Sequence, residues 1–159
     1  MISERPSVSA RLAELGIELP SAPAPLAAYV PAVRSGSHVF TSGQLPIVAG
    51  QLKGTGKVGG EVTADEAAGY AQICALNALA AVHALVGIDS VVRVVKVVGF
   101  VASTPDFTGQ PAVINGASNF LGEVFGAAGS HARSAVGVVA LPLDAPVEVE
   151  LIVEVDTDG

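Results

Sequence analysis

Arg133 is the residue from which chemistry can be built in this sequence. It stands near the head of "HARSAVGVVALPLDAPVEVE" (131–150), where Glu148 and Glu150 follow a turn-forming Pro-Leu-Asp-Ala-Pro segment. A guanidinium is a planar fork that can grip a carboxylate through two parallel charge-assisted hydrogen bonds, each contributing roughly 1.5–3 kcal/mol net where water is excluded. A glutamate beside such a fork could orient or deprotonate a water. The alternative is structural: Arg133 pairs with a glutamate at a subunit contact, and the two glutamates form a solvated strand face.

The usual catalytic constellations are missing. His38, His83 and His131 have no metal-ligand spacing, and Cys74 has no cysteine partner, so no metal is expected. "GTGKVGG" (54–60) puts a lysine among glycines without the phosphate-loop spacing or a following Ser or Thr, and reads as a mobile surface loop. Ser42 in "TSGQ" has no base beside it in sequence, and there is no G-x-S-x-G elbow. His131 reads as an ordinary surface residue at a strand start rather than a titrating group. Cys74 falls on the buried side of a helix and reads as core, and Tyr29 taken alone is a packing residue.

The chain as a whole narrows the choices. Its 159 residues suit one domain. Half are hydrophobic and only 14% are charged, so some apolar surface is expected to be covered by other subunits. A net charge of −7 with 4% aromatics argues against nucleic acid as a partner. The single cysteine and an N-terminus without an apolar signal core fit a reducing, cytoplasmic setting. Residues 67–88 carry no charge, but their alanines, Gln72, Asn77 and His83 describe an amphipathic helix better than a membrane span.

The elements that must hold these residues follow from pattern. Ser7 to Leu15 has helical spacing and stops at Gly16, and a Pro-rich connector follows; residues 1–26 form an extension to a domain spanning 27–159. "VPAVR", "SGS" and "HVFT" read as strand, turn and strand. Thr63 to Glu66 is a capping box opening a helix to about Val86, with Asp65, Gly69, Gln72 and His83 outward and Cys74 and Leu85 inward. The strand from Val91 to Ala102 is apolar on both faces, Arg93 on one and Lys96 on the other, so helices should cover one side and another subunit the second. A second helix should run from Pro111 to Phe125–Gly126, and Val147 to Val155 alternates as a half-buried strand. The order predicts an α+β mixed sheet with two long helices on one side. Residues 131–141 and 147–155 read as a hairpin turning near Asp144, with Arg133 opposite Val155 and Glu148 opposite Ala140. Their levels then differ by roughly 20 Å, and they could share a small-molecule site only across an interface.

Three blocks carry a resemblance: "YVPAVRSGSHVFTSGQLP" (29–46), "VKVVGFVASTPDF" (95–107) and "ARSAVGVVALPLDAPVEVE" (132–150). They resemble the YjgF/Rid family of reactive intermediate deaminases. The resemblance implies a chorismate-mutase-like fold in a homotrimer with a central barrel and a cleft at each subunit boundary. It also implies hydrolysis of 2-iminopropanoate and its tautomer 2-aminoacrylate to pyruvate and ammonia, with no cofactor. On it, Arg133 holds the substrate carboxylate and Glu148 orients water. Tyr29, Ser42, Gly43 and Ala135 line the cleft with an asparagine that is Asn115, Asn119 or neither. His131 and Ala135 stand where the family pattern has Pro and Cys, which marks a divergent branch. The other readings are a non-catalytic trimer binding small carboxylates or keto acids, the endoribonuclease L-PSP activity of the family's older label, which the acidity opposes, and a chaperone-like protein.

Overall fold

Ser7 opens the first helix, its hydroxyl accepting from the Ala10 amide, in a computed structural model that describes residues 6–22 and 27–157. Helix α1 (Val8–Glu14) buries Leu12 and is pinned twice: Arg11 Nε donates to the Glu123 carbonyl at 2.9 Å, and the Asp89 carboxylate accepts from the Ser9 amide and hydroxyl at 2.8 and 2.7 Å. Part of the Pro-rich connector, residues 23–26, lies outside the described residues. Strands β1 (Ala32–Ser35) and β2 (His38–Thr41) form a hairpin, and β3 (Ile47–Val48) and β4 (Gln51–Leu52) a smaller one. Helix α2 (Ala64–Val86) begins at the Thr63–Glu66 capping box. Then come β5 (Val91–Ala102), α3 (Gln110–Phe125), β6 (Ala132–Val138) and β7 (Val147–Val155).

The main sheet runs in the order β1-β2-β7-β5-β6, antiparallel except for β5 beside β6. Both long helices pack on one face, α2 over β7 and α3 over β5 and β6, as the α+β reading requires. Val147, Val149, Leu151, Val153 and Val155 meet them, while Glu148, Glu150, Ile152 and Glu154 line the open face. The helices approach at Gly116, where an added Cβ would run into the Ala68 backbone. By length and composition α2 could cross a membrane; here Ala67, Ala71, Cys74, Ala75, Ala78 and Leu79 are buried in the core between the sheet and α3.

Several expectations give way. The run 132–138 does not form a hairpin with β7; it lies parallel to β5, Arg133 beside Val97, while β7 sits between β2 and β5. The physical reason is the 16-residue α3, long enough to carry the chain back over the sheet so that β5, α3 and β6 form a crossover unit. Arg93 and Lys96 share the open face instead of dividing between the two. A bulge between Val94 and Lys96 resets the alternation, so that they pair with Glu154 and Ile152 on the same side of β7. Leu85 is exposed, because His83 to Leu85, the last turn of α2, is uncovered all round. The Gly-rich loop is anchored: Val58 is fully buried and bridges Ser103, and Lys57 Nζ reaches Asp144 Oδ1 at 2.9 Å.

Candidate functional site

The arginine side chain lies on the helix-covered face of the sheet, at its β6 edge. Alternation along β6 sends Arg133 and Ala135 to the side of their β5 partners Val97 and Gly99, both buried under α3. Helix α3 meets Arg133 with two polar side chains at i, i+3 spacing, which places them on one helical face. Nη1 donates to Asn115 Oδ1 at 2.8 Å and to Ser118 Oγ at 3.2 Å. Both Nη1 hydrogens are thereby used, and among the described residues nothing accepts from the Nε–Nη2 edge, the other two-pronged face of the fork. Among the described residues of its own chain Arg133 makes no ion pair. Of the two asparagines, Asn115 contacts the arginine; Asn119 is exposed and makes no side-chain hydrogen bond among the described residues. Ala135, partly buried against the core, brings no polar side chain.

Glu148 stands on the opposite face. It pairs across the sheet with Phe100, and its carboxylate lies over Gly43, where a Cβ would come within 2.8 Å of the carboxyl carbon. Glycine is needed there for that close approach. Burial, and then the neighbouring charge of Glu150, push the Glu148 carboxyl above its ordinary range. Ser42 ties the preceding segment to this shelf: its amide donates to the Pro31 carbonyl at 2.8 Å and its hydroxyl to the Val30 carbonyl at 2.6 Å, with exposed Tyr29 next in the chain. The thiol of Cys74 is buried and pushed well up by burial, which keeps it protonated and inert.

Within one chain the structure therefore brings Arg133 together with Asn115, and Glu148 together with Gly43, Ser42 and the Tyr29 segment. It does not bring the two groups together. Arg133 and Glu148 are three residues apart along the strands and two strands apart across them, roughly 14 Å, on opposite faces. Neither Arg133 nor Glu148 lines the cavities of about 530 Å³ beside Pro20, Leu45 and Asn77 and about 460 Å³ beside Lys57, Phe107 and Gly137.

Two participants escape sequence reasoning. His131 is half-buried and fully bonded rather than an ordinary surface residue: Nδ1 lies 2.6 Å from the Gly129 carbonyl and Nε2 2.9 Å from Ser118 Oγ. Ser118 links that imidazole to Arg133. The i, i+3 spacing of Asn115 and Ser118 was the available signal, but it gains meaning only once β6 lies beside α3.

Comparison with known proteins gives the family and the fold. Residues 9–155 match the model of a family described as "YjgF/chorismate mutase-like, putative endoribonuclease". Protein TCP17 of Trypanosoma cruzi is 46% identical over 153 residues, 94% of each chain. The crystal structure of Atu1372 from Agrobacterium tumefaciens, a protein described as of unknown function, superposes with a TM-score of 0.87 at 46% identity, covering 94% of this chain and 92% of that one. The crystal structure of Escherichia coli TdcF with bound serine gives a TM-score of 0.60 at 26% identity, over 85% of this chain and 94% of the other.

Proposed function

Because the chain belongs to the YjgF/chorismate mutase-like family, we propose that it is a hydrolytic deaminase of small 2-imino acids, acting as a homotrimer in clefts where the Arg133 corner of one copy meets the Glu148 shelf of another. The observation that carries this reading is a guanidinium that, among the described residues, has no carboxylate partner and is braced by α3 with one bidentate edge open. A small 2-imino acid supplies the missing carboxylate. Serine, bound in the TdcF structure, is a small amino acid with that same group.

The chemistry asks little of the protein, since an imine carbon is already electrophilic. The Nε–Nη2 edge of Arg133 fixes the substrate carboxylate, and that positioning contributes the orientation that a bimolecular attack lacks. Glu148 takes a proton from water as the water oxygen bonds to the imine carbon and the imine nitrogen takes a proton from solvent. Glu148 then passes its proton to the resulting amine, and as the C–N bond breaks the hydroxyl proton is released to solvent, leaving a carbonyl and ammonia. From 2-iminopropanoate, or from 2-aminoacrylate after tautomerisation, the products are pyruvate and ammonia. A carboxyl held above its ordinary range suits a group that must accept and release a proton near neutrality.

One observation favours a second reading. Ala135 turns a methyl group to the same face of β6 as Arg133, two residues past it, and adds no polar atom there, so a protein that binds keto acids without turnover is the alternative. An amino-acid oxidase generating imines in situ separates the two. Wild type is expected to accelerate keto-acid release over the buffer blank, and Arg133→Ala to lose at least 100-fold of that rate while unfolding within a degree or two of wild type, because the side chain is only half-buried. Equality of wild type and blank across several imines, with thermal stabilisation by keto acids, would leave the binder.

A further inference from the structure

We propose that Ser118 and His131 are positioning residues for Arg133, forming one directed hydrogen-bond chain that runs from the Gly129 carbonyl to the guanidinium and fixes the edge offered to a carboxylate. The proposal deepens the carboxylate-clamp reading and rests on it.

The direction of the chain follows from donor and acceptor inventory. A carbonyl only accepts, so the 2.6 Å contact requires a proton on His131 Nδ1. In the neutral ring that leaves Nε2 as an acceptor, and the Ser118 hydroxyl at 2.9 Å supplies its proton. Ser118 Oγ keeps its lone pairs for Arg133 Nη1 at 3.2 Å, which can only donate. Both imidazole nitrogens are committed, so His131 has none left for a substrate and acts only through Ser118.

The far end of the chain is rigid. Gly129 is buried where a Cβ would come within 2.5 Å of the Leu121 carbonyl, so the turn 126–129 presses directly on α3 and holds its own carbonyl in place. At the near end, Asn115 and Ser118 take the two Nη1 hydrogens from one helical face, which sets the plane of the guanidinium. A long side chain pre-set in this way loses less conformational freedom when a ligand arrives. The structural alternative is that the Ser118–His131 pair merely closes the junction between α3 and β6. That role would show in thermal stability and leave ligand affinity untouched.

Calorimetric titration of the full chain with sodium pyruvate distinguishes these. Ser118→Ala and His131→Ala are each expected to weaken binding roughly tenfold, and Ser118→Thr, which keeps the hydroxyl, to restore it to within about twofold. Adding His131→Ala to Ser118→Ala should cost nothing more, because the imidazole works through the hydroxyl. If wild type binds, Arg133→Ala does not, and Ser118→Ala binds like wild type, the positioning role is overturned while the clamp survives. If wild type itself does not bind, the clamp reading fails instead. Independently of any ligand, long-range proton–nitrogen NMR at mildly alkaline pH should find the His131 proton on Nδ1; a proton on Nε2 would overturn the chain.

Discussion

The Arg133 corner and the Glu148 shelf are two charged regions of one sheet, and they are built in opposite ways. Arg133 sits on an edge strand with a helix leaning over it, and its own chain supplies acceptors for one end of its fork. Glu148 sits on β7 in the middle of the sheet, half-buried on the open face, receiving no side-chain hydrogen bond among the described residues and standing near a second carboxylate. A cation oriented at one end and open at the other is suited to holding. An unsatisfied carboxylate of raised proton affinity is suited to changing its protonation state. On the proposed function, binding and proton transfer need different surroundings, and one sheet offers both by using its two faces.

The comparison breaks most visibly if the regions are not separable. Glu148→Gln should cut turnover of in-situ imines by about 10²- to 10⁴-fold while leaving pyruvate affinity within about twofold. Equal losses in both would show that Glu148 also holds the ligand. Gly43→Ala is the milder form of the same cut: its methyl group must displace the Glu148 carboxyl, and more than a tenfold loss of turnover with unchanged binding is expected. Wild-type turnover in this variant would show that the shelf has no role in the reaction.

How much of this the sequence discloses differs between the same two regions. The shelf is legible. Alternation from Val147 to Val155 puts Glu148 on the face away from the core, and the Thr63 capping box starts α2 where it is found. The corner is not. The proline-flanked turn after Val138 imitates a hairpin, although a strand, a 16-residue helix and a strand in succession are the pattern of a parallel crossover. Misplacing β6 hid its neighbour α3, and with it the meaning of Ser118 and His131. The bulge at Val95 is likewise invisible to counting by twos, because a bulge is a packing decision and leaves no mark in a run of valines.

A smaller effect sharpens the corner alone. Asn115 and Asn119 lie one helical turn apart on α3, yet only Asn115 accepts from Arg133 among the described residues. Asn115→Ala should weaken pyruvate binding roughly threefold, one neutral acceptor lost from a partly solvated group, and Asn119→Ala should leave it unchanged. The reverse ranking in the same titration would mean that α3 turns a different face to the ligand than to the arginine.

The smallest effect concerns the shelf without any ligand. A carboxyl whose folded-state proton affinity is raised binds more protons folded than unfolded between the ordinary and the raised value. Stability must therefore fall as pH rises through that window: the contribution of the neutral form is fully present below the ordinary glutamate range and is lost above the raised value. Glu148→Gln cannot ionise, so it should lack this slope, matching wild type in acid and melting slightly higher near neutrality. Melting curves collected from pH 4 to 8 test this directly. Parallel profiles for the two proteins would mean that Glu148 is as well solvated as any surface glutamate, and the contrast with Arg133 would then rest on geometry alone.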